Sequence, residues 1–279
     1  MVHARQSRGR DKRNLQCEPR KRLWRFRNIG SDKDPRTSHE LYTLTLLLSF
    51  SPPREHYPNR KKGIRLKGKT ELLEIHGKIK SEIERRLREF EKTWRTDDEK
   101  VFSELAFCLL TPQSKAKVCW ETVEKLEKSR TLFSGGEKEI AEFLRPIRFW
   151  RKKARYIIEA RKRFTKGGKL VIREELTKFL NNPMEAREFL VKEVKGLGYK
   201  EASHFLRNIG WGRDLAILDR HILRSLLEFG VIDEIPKNLN KKTYLSIEQK
   251  MRKFSDELGI PMSHLDFVLW YRKTGEVFK

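Results

Sequence analysis

The stretch Val194-Lys195-Gly196-Leu197-Gly198-Tyr199-Lys200 decides the fold. Two glycines one residue apart, between an apolar-periodic run and a fresh helical pattern, spell a hairpin joining two helices. Glycine tolerates the positive φ and the close approach that such a turn needs. The N–H groups of the hairpin and of the second helix's first turn have no partner within the helix, and together they make a site for one phosphate. Lys200 falls in that first turn, where the positive end of the helix dipole disfavours an ammonium and favours a nucleophilic amine. Nineteen positions on, Asp219 stands in Ile217-Leu218-Asp219-Arg220-His221. It can act as an N-cap for the helix that begins there, or as a charged partner for Lys200.

Outward from the hairpin the chain reads as helical. Leu73, Ile75, Ile79, Ile83, Leu87, Phe90 and Trp94 recur, from Ile75 onward at three- and four-residue steps. Thr96-Asp97-Asp98-Glu99 reads as a capping box that opens a helix ending before Pro112. Further helices are expected at about 114–128, 137–144, 150–164, 184–195, 200–209, 219–229, 242–258 and 262–273. Asn182-Pro183 supplies a cap and a first-turn proline, and Pro261 opens the last helix. No alternating strand run appears. The expected fold class is all-α, with the helix-hairpin-helix at about 184–209 in a helical domain of residues 70–279.

Charge points to nucleic acid. The 279 residues hold 63 Lys/Arg against 39 Asp/Glu, a net of +24. Residues 1–70 contribute 19 basic and 6 acidic residues, a net of +13. Residues 1–69 read as an extension, with prolines at 19, 35, 52, 53 and 58 and no sustained helical period. It is either a basic arm adding non-specific DNA affinity or a dispensable segment. The cysteines, Cys17, Cys108 and Cys119, form no CxxC pair, and the seven histidines show no ligand spacing, so no metal and no cofactor are expected. The apolar run 41–50 is too short to span a bilayer, and the N-terminus has no apolar signal core. A cytoplasmic protein, monomeric and without a membrane partner, is the expectation.

Lys200 and Asp219, in that order and spacing, resemble the helix-hairpin-helix DNA glycosylases that cut the sugar–base bond. The run Gly198-Tyr199-Lys200-Glu201-Ala202-Ser203-His204-Phe205-Leu206-Arg207-Asn208 narrows the match. It resembles the second, mainly archaeal and thermophilic, family of 8-oxoguanine DNA glycosylases with lyase activity, over about the last 210 residues. This coverage favours the dispensable reading of the extension. The chain lacks the four-cysteine iron–sulfur motif that many glycosylases sharing the hairpin carry near the C-terminus.

The resemblance implies a double-stranded DNA partner containing 8-oxoguanine and assigns roles. Gly196 and Gly198 hold the DNA backbone, Lys200 attacks C1′ of a flipped nucleotide, and Asp219 stabilises the developing charge or helps deprotonate Lys200. The ending Leu265-Asp266-Phe267-Val268-Leu269-Trp270-Tyr271, then Thr274-Gly275-Glu276-Val277-Phe278-Lys279, is similar to the family's own. It implies that Trp270 stacks on the base, that Asp266 accepts from its amino edge and that terminal Lys279 separates 8-oxoguanine from guanine. Phe149 forms the opposite wall. Gln113, in Leu110-Thr111-Pro112-Gln113-Ser114, fills the gap left by the flipped base, although this loop departs from the family's Ala-Asn at the Pro-Gln positions. His204 and His221 read as structural. Two alternatives stay open: a glycosylase for another lesion, and a non-catalytic DNA-binding module that needs the glycines but neither Lys200 nor Asp219.

Overall fold

A computed structural model describes residues 59–278, with side chains from Gly68 onward. The extension's first 58 residues and Lys279 therefore lie outside the described residues. The first helix, α1 (Asn59–Trp94), begins eleven positions before the expected boundary at Thr70. Residues 59–69 are thus helical and continuous with the helix that follows. Its apolar steps bury Leu72, Ile79, Ile83, Leu87 and Phe90 on one face.

Next comes α2 (Asp98–Leu110), in which all residues from Val101 to Leu110 are buried. Its N-cap is Asp97, whose carboxylate accepts from the Lys100 N–H at 2.8 Å. The expected cap at Thr96 is therefore displaced by one residue, and the Thr96 hydroxyl instead donates to Thr93 O, closing α1. Pro112 stops α2, with Thr111 as C-cap. Then follow α3 (Ala116–Lys128), α4 (Thr131–Ser134), α5 (Glu137–Phe143) and α6 (Trp150–Arg163). A small antiparallel hairpin, β1 (Thr165–Lys166) and β2 (Lys169–Leu170), pairs Thr165 with Leu170. Its turn is Gly167-Gly168, both at positive φ, as a two-residue hairpin loop requires.

After α7 (Ile172–Thr177), the Asn182 side chain caps α8 (Pro183–Glu193) by accepting from Glu185 N–H. The hairpin 194–198 leads into α9 (Tyr199–Asn208), followed by α10 (Arg220–Glu228), α11 (Lys241–Leu258) and α12 (Met262–Thr274). The all-α class is what the described residues have, the small β-hairpin with its two two-residue strands apart.

Two apolar cores organise these helices. The first gathers α2 to α9 and runs from Val101 to Leu215. The second joins α1 to the stretch from Ala216 to Val277, so the first and last described helices pack together. Buried polar residues cross the seam. Arg187 of α8, 1% exposed, donates to both carboxylate oxygens of Glu248 on α11, at 2.7 and 3.0 Å. Glu248 also accepts from the Ala216 N–H at 2.8 Å, and the Tyr244 hydroxyl donates to Ala216 O at 2.6 Å. A second pair, Arg207 of α9 with Asp266 of α12, crosses nearby.

Candidate active site

The hairpin places Gly196 at φ +90°, and a Cβ there would stand 2.2 Å from Cδ2 of Tyr156 on α6. Both backbone sign and close approach demand glycine at this position. Gly198 is the N-cap of α9 in extended geometry and makes no side-chain cap to the helix's first N–H groups. Glu201, at the third helical position, stands beside this cap.

Lys200 projects from the second position of α9, part-exposed. Its Nζ lies 3.5 Å from Thr111 Oγ1 and 3.7 Å from Glu201 Oε1. Thr111, buried at the end of α2, donates its hydroxyl hydrogen to Cys108 O at 2.9 Å, which leaves lone pairs for the lysine. A second lysine, Lys153 of α6, sits by the same helix end. Its Nζ bonds Leu110 O and Pro112 O, each at 2.7 Å, and Ser114 Oγ at 3.0 Å. Burial lowers the Lys153 ammonium to about 8. The buried Cys119 thiol, which donates to Leu110 O, is pushed up to about 11 by burial, against the pull of both lysines. The carbonyl end of α2, its negative pole, thus receives two lysines.

Asp219 is the N-cap of α10, half-buried, and Oδ1 accepts from the Ile222 N–H at 2.8 Å. The cap read from sequence is real. Its carboxylate also adds to the electrostatic field at Asp266, which brings the start of α10 beside α12.

On α12, Asp266 and Trp270 share a face, one turn apart, but their settings differ. Trp270 is half-buried, with its ring edge-on to His221 at 5.2 Å between centroids and 84° between planes. Asp266 is 8% exposed and bound to the Arg207 guanidinium. Burial raises its carboxyl above the ordinary range, opposed by the Arg207 charge. One oxygen expected to meet a base is therefore engaged within the protein. After α12, the tail docks: Val277 is buried in the second core, Phe278 packs against the first, and Glu276 pairs with Lys117 at 2.7 Å. Lys279 lies outside the described residues.

Three non-glycine residues hold the left-handed backbone that only glycine adopts freely: Arg130, which is paired with Glu99, and two that were singled out by sequence. Phe149, at φ +61°, is the N-cap of α6 and is half exposed, with the Arg148 guanidinium 4.8 Å above its ring. Gln113, at φ +55°, is exposed at the tip of the 111–115 loop. His204 packs edge-on against Phe107, a structural place. Among the described residues, no group of three or more potential ligands gathers to hold a metal ion.

Sequence reasoning missed Lys153, Thr111 and Arg207. Lys153 carried a signal: it precedes Ile157, Ala160 and Phe164 at four-, three- and four-residue steps, all buried. A lysine on the apolar stripe of a helix marks a buried charge that needs partners.

The profile of the family described as 8-oxoguanine DNA glycosylase matches residues 83–260. The 8-oxoguanine DNA glycosylase/AP lyase of Fusobacterium nucleatum is 44% identical over 210 residues, covering 75% of this chain and 96% of that protein. Its counterpart in Methanocaldococcus jannaschii is 41% identical over 206 residues, covering 73% and 95%. A crystal structure of the M. jannaschii enzyme with a 15mer DNA containing 8-oxoguanine superposes with a TM-score of 0.68 at 38% identity, over 76% of this chain and 99% of that one. The 8-oxoguanine DNA glycosylase of Thermotoga maritima gives 0.69 at 38% identity, over 77% and 100%.

Proposed function

Since the chain belongs to the 8-oxoguanine DNA glycosylase family, we infer that it removes 8-oxoguanine from double-stranded DNA and then nicks the abasic strand as a lyase. The observation that carries this reading is the placement of Lys200. It stands on the second helix of the hairpin, part-exposed, with its amine at the carbonyl end of α2. Lys153, the other lysine there, has all three of its donors engaged.

The proposed sequence begins with the hairpin. The N–H groups around Gly196 and Gly198 hold a phosphate beside the lesion, which positions the duplex without reading its sequence. The lesion swings out of the stack, Gln113 enters the gap, and the base lies between Phe149 and Trp270. The neutral Lys200 amine attacks C1′ as the bond to the base breaks, and the base leaves with the electron pair. Loss of a proton from nitrogen and opening of the sugar give a Schiff base. Removal of a C2′ proton then expels the 3′ phosphate by β-elimination. Asp219 stabilises the positive charge that grows on the sugar, or takes the proton from Lys200.

Lesion choice is the task of the pocket's other end. 8-Oxoguanine differs from guanine by an N7–H donor and a C8 oxygen, so a few placed polar groups must separate them. Lys279, assigned to this discrimination, follows Val277, which is buried in the second core, and Phe278, which packs against the first. Asp266, with one oxygen on Arg207, offers the other to the base's amino edge. The protein acts as a monomer on nucleoid DNA; among the described residues no helix is long and apolar enough to cross a membrane.

Borohydride trapping on an 8-oxoguanine duplex tests the mechanism. The adduct should form with the native chain and vanish in Lys200→Gln, with duplex binding retained. Asp219→Asn should bind but lose excision by about two orders of magnitude or more. An undiminished adduct in Lys200→Gln refutes the assignment. A panel of lesions separates this reading from a glycosylase of other specificity, and the absence of any strand scission would leave a DNA-binding module.

A further inference from the structure

We propose that Lys153 is a positioning residue for the reaction: it pins the 111–115 loop, and through that loop sets both the Gln113 tip and the Thr111 hydroxyl against Lys200. The proposal rests on the reading of Gln113 and Lys200 given above.

The need for such a residue begins with the end of α2. A helix leaves its last carbonyls without partners inside the helix. Thr111 N–H takes Phe107 O and the Thr111 hydroxyl takes Cys108 O. Leu110 O and the loop carbonyl Pro112 O point inward, and Pro112 has no N–H to help close the turn. The loop tip is then forced into the left-handed region at Gln113. A strained backbone holds only where its surroundings over-determine it. Lys153 supplies that restraint, since its single amine joins Leu110 O, Pro112 O and Ser114 Oγ on both sides of the tip.

Geometry also explains why the residue is a lysine. The side chain is 4% exposed, so its polar end is costly unless every hydrogen finds an acceptor. An ammonium has three donors and meets three acceptors. With its pKa brought close to the working range, the same cage serves the neutral amine as well. That form donates to the two carbonyls and accepts the Ser114 hydroxyl hydrogen. The hydroxyl is the one partner able to reverse its role, so the loop stays pinned in either state.

Position completes the argument. The Lys153 N–H donates to Phe149 O at 3.0 Å, closing the first turn of α6. Its backbone therefore anchors the Phe149 wall while its amine anchors the Gln113 tip. Thr111, one residue from each pinned carbonyl, holds its hydroxyl 3.5 Å from the Lys200 amine. Three parts that must act on one nucleotide meet through one side chain.

The test uses the full chain and an 8-oxoguanine duplex carrying 2-aminopurine next to the lesion, whose fluorescence rises when the stack opens. Lys153→Met keeps the stem and removes the amine. Folding is checked by thermal melting, and duplex binding should stay within about threefold of the native chain. Single-turnover excision should fall by about tenfold to a hundredfold, with the fluorescence rise lost or slowed to the same degree. A folded Lys153→Met that excises and opens the stack at native rates overturns the proposal. If that variant does not fold, Ser114→Ala decides: slower stack opening with native duplex affinity supports the proposal, and native opening overturns it. Trapping by the native chain is the control. Its absence would defeat the Lys200 reading itself, whereas native trapping with an unaffected Lys153→Met defeats only the present proposal.

Discussion

Replacing Arg187 by methionine should be among the most damaging single changes in this protein, although the residue lies away from the reacting atoms. The guanidinium is 1% exposed and Glu248 is 4% exposed, so neither end of the pair can turn to water. The change removes both bonds to the carboxylate and one to Ser203 Oγ at 3.2 Å. Glu248 keeps a single donor, the Ala216 N–H. Removing one partner of a buried ion pair costs about 3–5 kcal/mol, because the survivor is left charged and dry. For a domain of this size, each kcal/mol lowers the melting temperature by roughly 2–4 °C, so a fall of about 6–20 °C is expected.

The double change Arg187→Met with Glu248→Leu removes the stranded charge. It costs instead the Ala216 N–H its acceptor, about 1–3 kcal/mol, offset by apolar packing. It should therefore melt nearer to the native protein than Arg187→Met does. Urea and thermal unfolding of the native chain, both singles and the double close the cycle. If Arg187→Met loses less than about 1 kcal/mol, or if the two single effects simply add, the pair is not a desolvated couple and the reasoning fails.

Three further outcomes are expected. Gly196→Ala must place a Cβ against the Tyr156 ring at φ +90°, so it should destabilise by at least about 1–2 kcal/mol and weaken duplex binding in a filter or anisotropy assay. His76 Nε2 and His264 Nδ1 meet at 3.0 Å, and burial first, then neighbouring positive charge, holds both below the ordinary 6.5. The folded state then binds fewer protons than the unfolded chain just below that value, so stability should fall as pH drops from about 7 to 5, and His264→Gln should flatten the urea-midpoint profile. Removing residues 1–58, which carry 13 Lys/Arg against 6 Asp/Glu, should leave single-turnover excision nearly unchanged but give a shallower salt dependence of DNA binding.

What could be read from the sequence was local. Several long helices carry their own boundary marks: a capping segment at 96–99 read one residue early, Asn182 as a cap, Pro112 as a stop, Gly198 before α9. The short helices α4 and α7, of 4 and 6 residues, are too brief for a period to register. The β-hairpin did leave a sign in Gly167-Gly168, but two-residue strands give no alternation to support it. Lys200 and Asp219, the residues proposed for catalysis, were legible as candidates because each occupies a helix start that the sequence marks. Lys153, Thr111 and Arg207 were not, because their partners come from other helices, up to 89 positions away for Thr111 and Lys200. The pairing of Asp266 was hidden for the same reason: nothing near it in the chain announces Arg207.

The composition of the two cores bears on the order in which the chain assembles. The first core draws on one continuous stretch, Val101 to Leu215, so it can close as soon as that length has left the ribosome. The second cannot, since the buried face of α1 waits for α10, α11 and α12 at the other end of the chain. During synthesis α1 is therefore an apolar helix without its partner while more than a hundred residues are added. Its alternating charges, such as Arg85 and Arg86 with Glu89, keep the remaining faces hydrated meanwhile. Lys200 arrives with the first core and Asp219 with the second, so the two residues proposed for catalysis are both in place only once the second core has closed.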